Sequence, residues 1–145
     1  MYHQYAPFFS ELCHKIRNGE SLTYSWNIGM GTNFTSLFAY YLASPSNWFV
    51  ALFPQKYTIE IMNAFIILKI AGSSLSLTYY LTKHNNNKHV IAAIFGMFYG
   101  MSGFIAAYSW NIMWLDCVIL IPLIMLGLER LVNENRCIFY CITLG

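Results

Sequence analysis

Asp116 stands at the end of the run Trp110-Asn111-Ile112-Met113-Trp114-Leu115-Asp116, otherwise free of charge. An acid inside an apolar segment is expensive, and its default reading is functional. A carboxylate there can take a proton from an attacking hydroxyl. It can also be one half of a structural ion pair, and Lys69, the lone charge of another apolar run, is the evident partner. The two roles are compatible, because a Lys–Asp pair can border a reaction site.

Aromatic and amide side chains cluster around two places. Trp110, Asn111 and Trp114 flank the acid; Tyr24, Trp26, Asn27 and Asn33 lie in a polar loop far upstream. Trp and Tyr at the edge of a span are commonly interface anchors. They also offer flat faces for sugar C–H groups, with Asn amides for the hydroxyls. His3, Gln4 and Tyr5 add a third polar group, whose imidazole titrates near neutrality. No Walker A, HExxH, GxSxG or metal-ligand spacing accompanies them, and a metal requirement stays open. The lone Gly29-x-Gly31 lacks the third glycine of a nucleotide fingerprint. Asn33-Phe34-Thr35 fits a glycosylation sequon, a motif common by chance. Cys13, Cys117, Cys137 and Cys141 form no CxxC and read as apolar filler.

The elements that must hold these residues follow from composition. Of 145 residues, 57% are hydrophobic, 18% aromatic and 10% charged, and mean hydropathy is +0.47. A soluble domain carries about 25% charge. Eight Lys+Arg and six Asp+Glu cannot coat such a globule, so the chain is read as an integral membrane protein. Disorder, a disulfide miniprotein and nucleic-acid binding are excluded, the last by a net charge of only +2.

The fold class expected is all-α: a multi-span helical bundle with interfacial helices. Residues 2–17 carry apolar side chains at three- and four-residue steps, which predicts an amphipathic helix stopped by Asn18-Gly19. Its polar face takes in Glu11, His14, Lys15 and Arg17. A polar, glycine-rich loop follows over 19–34. The short apolar stretches 37–43 and 48–53 are broken by Ser44-Pro45, an N-cap followed by a first-turn proline. They read as interfacial or re-entrant helices, with one kinked span as the alternative. Residues 1–58 thus form an extracytoplasmic loop region and 59–145 a transmembrane bundle. Its spans are expected at about 61–81, 90–108 and 112–128, with a partial run at 137–145. Gly96-x-x-x-Gly100, extended by Gly103, and Gly72-x-x-x-Ser76 read as close-packing faces. The loops 82–89 and 129–136 hold Lys and Arg and are placed in the cytoplasm; 1–58 and 109–111 then lie outside. The host is the plasma membrane.

Taken in order, several motifs resemble one family. They are Tyr2-His-Gln-Tyr-Ala-Pro-Phe-Phe9, Gly19-Glu20-Ser21, Tyr24-Ser-Trp26-Asn27, Gly29-Met-Gly31-Thr-Asn33-Phe34 and Tyr40-Tyr41-Leu-Ala-Ser44-Pro45. The set continues through Phe95-Gly-Met-Phe-Tyr99, Ser102-Gly-Phe104 and Trp114-Leu-Asp116 to Pro122-Leu123. Together they look like the bacterial YfhO membrane-protein family, over nearly the whole chain. The resemblance implies a GT-C-like glycosyltransferase fold. It also implies transfer of a sugar from a polyprenyl-phosphate carrier to an extracytoplasmic acceptor such as lipoteichoic acid. Its partners would be the bilayer, the lipid-linked sugar donor and a cell-envelope polymer. It brings Glu20 into the candidate substrate-binding set beside His3, Gln4, Tyr5, Tyr24, Trp26, Asn27, Asn33, Trp110, Asn111 and Trp114, with Asp116 as candidate catalytic residue. The family's first span, and the acid at its end, would precede Tyr2. The sequence is therefore expected to be a fragment, inactive alone. A non-enzymatic transport or assembly protein, or a non-functional remnant, is the rival expectation.

Overall fold

The computed structural model describes residues 5–85 and 89–144. The chain divides into two compact units, residues 1–65 and 66–145.

In the first unit, helix α1 spans Tyr5–Asn18. Pro7 falls in its first turn, where the missing N–H costs nothing. Gly19, at φ 65°, ends the helix, and the Glu20 amide donates back to the Lys15 carbonyl at 2.9 Å. Tyr5, Phe9 and Leu12 give the helix its buried apolar face. The loop beyond is more ordered than its composition suggests. Tyr24–Ser25 (β1) and Thr32–Asn33 (β2) pair antiparallel, Tyr24 opposite Asn33. Gly29, Met30 and Gly31, all at positive φ, reverse the chain between them. A side chain at Gly31 would strike the Tyr24 ring.

Asn33 caps the short helix α2, Phe34–Leu37, its Oδ1 accepting from the amides of Thr35 and Ser36. A π-helical turn over Phe38–Leu42 continues it. After Ala43 the chain restarts as a 3₁₀ helix over Pro45–Leu52. The Asn47 side chain donates to the Leu42 carbonyl at 3.1 Å and bridges the break. These are separate short helices; the alternative of one kinked span over this stretch does not hold. A further 3₁₀ turn, Gln55–Tyr57, leads into α3.

Helix α3, Thr58–His84, is 27 residues long and outreaches the 61–81 expected from hydropathy. The next span differs from its expected form. Residues 90–108 read as one helix but form α4, His89–Gly100, and α5, Gly103–Tyr108. Ser102, at ψ 153°, is the extended residue that starts the second piece. Helix α6, Ile112–Glu134, is also longer than expected. It ends where Asn135 turns left-handed, and the amides of Asn135 and Arg136 both reach the Arg130 carbonyl. Helix α7 covers Ile138–Leu144.

The second unit packs little of its surface inward. Ile105, Leu115 and Val118 form its core with Ile66, Ile70 and Tyr99. Ile67, Leu68, Leu75, Phe95 and Phe98 face outward, as lipid-facing side chains must. Three helical stretches, 58–84, 89–108 and 112–134, are long and apolar enough to cross a membrane. Gly96 and Gly100 let α4 close on α3, where a Cβ would collide with Thr78 and Ser74. Gly72 instead faces Ile119 of α6, and Gly103 borders open space, so neither joins that face. Pro122 lies inside α6 and leaves the Val118 carbonyl without its helical donor. The Tyr99 hydroxyl fills the gap, donating to Val118 O at 2.9 Å.

Candidate functional site

Asp116 lies about one turn into α6, and Lys69 is buried in α3 opposite it. The Lys69 ammonium donates to Asp116 Oδ2 at 2.9 Å and to the Ile112 carbonyl at 3.2 Å. Ile112 and Asp116 are four residues apart, so one helix face presents both acceptors. Among the described residues, Oδ1 has no hydrogen-bond partner, and the Asp116 side chain keeps 29% exposure. One oxygen is pinned and the other is unpartnered among the described residues.

The tryptophans are arranged differently from the sequence expectation. Trp114 is two residues from Asp116, about 200° around the helix. It lines an apolar groove with Tyr99, Ser102, Phe104 and Val118, and its ring lies 5.9 Å from that of Tyr108. Phe104 follows Tyr108 at 5.3 Å, so the three aromatic rings form a row on a face other than the acid's. Trp110 is half-exposed and spends its indole N–H on the Ala107 carbonyl. Asn111 is buried.

In the first unit, Tyr24 and Trp26 stack edge-to-face at 5.0 Å. Trp26 is 77% exposed and can serve as a platform. Asn27 and Asn33 are occupied within the protein, Asn27 by Glu11 and Asn33 by the α2 cap. Glu20 sits 3.6 Å from His14 and 3.7 Å from Lys15. Tyr5 is buried edge-on to Tyr41, and burial, with Tyr41 and Tyr40 adding to it, pushes its phenol up to about 12. His3 and Gln4 lie outside the described residues.

Two residues that periodicity assigns to a solvated face are buried instead. Glu11 accepts from Ser25 Oγ at 2.5 Å and from Asn27 Nδ2 at 3.1 Å. Lys15 donates to the carbonyls of Ser21 and Tyr24 at 3.0 and 2.8 Å and approaches Glu11 at 3.9 Å. Together they moor the loop that carries Tyr24 and Trp26. Their i,i+4 Glu–Lys spacing was the signal available in the sequence.

A family model described as bacterial membrane protein YfhO matches residues 1–145. The chain belongs to the YfhO family. With its three candidate spans, this YfhO chain is a membrane protein. Neither the curated proteins nor the solved structures contain a match to it.

Proposed function

We propose that this YfhO chain serves a membrane glycosyltransferase that moves a sugar from a polyprenyl phosphate to an extracytoplasmic acceptor, lipoteichoic acid being the kind of polymer in view. The observation that carries the reading is the asymmetric engagement of Asp116. Lys69 fixes Oδ2, while Oδ1 is unpartnered among the described residues and partly open. A carboxylate so held is oriented for proton transfer without being consumed by its own ion pair.

In the proposed step, an acceptor hydroxyl oxygen bonds to the anomeric carbon and its proton passes to Asp116 Oδ1. The bond from that carbon to the phosphate oxygen breaks, and the lipid phosphate leaves with the electron pair. The exposed ring of Trp26 suits the role of a sugar platform. The proposed orientation puts residues 1–58 and the α5–α6 link outside, with the segments after α3 and α6 in the cytoplasm.

The test is Asp116→Asn at the chromosomal locus. Sugar decoration of the envelope polymer is expected to disappear while the protein still inserts in the membrane. Normal decoration would remove Asp116 from the reaction. An epitope inserted after Asn85 should resist external protease in intact cells; cleavage would invert the orientation.

A further inference from the structure

The opposite ends of α3 and α6 enclose a second polar place. A cavity of about 440 Å³ is lined by Lys83, His84, Glu129, Arg130, Asn133 and Glu134, with Leu126 at its apolar side. At about 1.5 Å per residue, Arg130 stands ~27 Å along α6 from Ile112, close to the thickness of a hydrocarbon core. The cavity therefore sits at headgroup depth on the face opposite Asp116.

Its charges are unevenly settled. Glu129 accepts from the Tyr80 hydroxyl at 2.8 Å and meets His84 at 2.9 Å. Glu134 meets Arg136 at 3.6 Å. Lys83 and Arg130 make no ion pair with a carboxylate among the described residues. Lys83 lies over the Tyr79 ring at 5.9 Å and Arg130 over Phe139 at 5.1 Å. Lys83 and Arg130 thus keep N–H groups for an anionic guest, beside Glu129, whose His84 partner is charged only when protonated, and Glu134. The Arg130 carbonyl, at the end of α6, already accepts the Asn135 and Arg136 amides.

Arg130 also borders a second groove of about 420 Å³, bounded by Ile138, Phe139 and Ile142 of α7. A pocket with two cations that no carboxylate pairs among the described residues, and an apolar groove that shares one of them, fit an amphiphile: phosphate in the first, chain along the second.

We infer that the α3–α6–α7 end of the second unit is a binding site for an anionic phospholipid of the adjoining leaflet. Lys83 and Arg130 hold its phosphate, Asn133 meets the polar headgroup, and Phe139 and Ile142 flank an acyl chain. This site is independent of Asp116.

The test uses the full chain purified in a neutral detergent and titrated with phosphatidylglycerol, with retention read by native mass spectrometry. One lipid should be retained. Dioleoylglycerol, which lacks phosphate, and glycerol 3-phosphate, which lacks chains, should each bind at least tenfold more weakly. The double variant Lys83→Gln/Arg130→Gln should lose about tenfold in phosphatidylglycerol affinity, and Lys83→Arg/Arg130→Lys should keep it. Equal retention of dioleoylglycerol would reduce the site to an unspecific groove. Equal binding of glycerol 3-phosphate would make it a site for soluble phosphate. Undiminished binding by the Gln variant would place the lipid elsewhere. Should the Gln variant not fold, the ranking of the three ligands on the unaltered chain still decides.

Discussion

Lys15 and Lys69 are both buried, at 4% and 5% exposure, yet they are satisfied in different ways. Lys15 gives two of its hydrogen bonds to loop carbonyls and shares its charge between Glu11 and Glu20. Its work is to fix a backbone. Lys69 donates to the Asp116 carboxylate and to the Ile112 carbonyl. Its work is to fix a side chain. The contrast separates a charge that fixes a loop from one that holds an acid whose side chain stays 29% exposed.

The largest effect that would sharpen this contrast is on activity. Asp116→Asn should cut sugar transfer by about a hundredfold or more, the usual contribution of a positioned acid–base group. Glu11→Gln should leave it within a few-fold, measured as polymer decoration in cells carrying each allele. If both fall equally, the distinction between the two carboxylates fails.

Stability comes second. Lys69→Met strands Asp116 and should cost about 3–5 kcal/mol in a thermal melt in detergent. A second change, Asp116→Asn, should restore most of the loss without restoring transfer. Lys15→Met is not rescued by Glu11→Gln, because two backbone carbonyls remain without their donor. Proteolysis within 19–34 reports that failure. Rescue in both pairs would make the lysines equivalent.

The smaller effects concern the first unit alone. The Tyr5 phenol is raised from its ordinary value near 10 to about 12 by burial. A raised folded value means that the unfolded chain loses this proton first. Stability is unaffected below pH 10 and falls between pH 10 and 12; Tyr5→Phe should flatten that limb in alkaline melts. Trp26→Ala should change stability by less than about 0.5 kcal/mol, because the ring is open to solvent. A rise in acceptor KM at unchanged kcat would mark it as a platform, and no kinetic change would leave it an exposed anchor.

The sequence made some of this legible. Lys69 and Asp116 stood out because each was alone among apolar residues, so each needed the other. The spans were visible from hydropathy, but their ends were not. Lys83, His84 and Glu129 extend α3 and α6 past the apolar stretch, since helix formation continues wherever good formers follow. The break between α4 and α5 escaped hydropathy because Met101 and Ser102 do not interrupt an apolar run; the turn is in the backbone. Glu11 and Lys15 escaped because amphipathic periodicity sends every polar residue to solvent. Here a folded loop, not water, receives them. Trp114 and Asp116 were grouped by proximity in sequence, while the helix turns them to different faces.

The bond from Tyr99 to the Val118 carbonyl, opposite the gap left by Pro122, sets an order on how this span can drift over generations. A carbonyl oxygen has two lone pairs, so an alanine at position 122 could donate its amide while Tyr99 kept its own bond. The reverse order is closed: phenylalanine at 99, with the proline still present, leaves a bare carbonyl in a dry interior. Loss of the proline is the permissive step and loss of the hydroxyl the dependent one. The pair works as a ratchet that lineages can release from one side only.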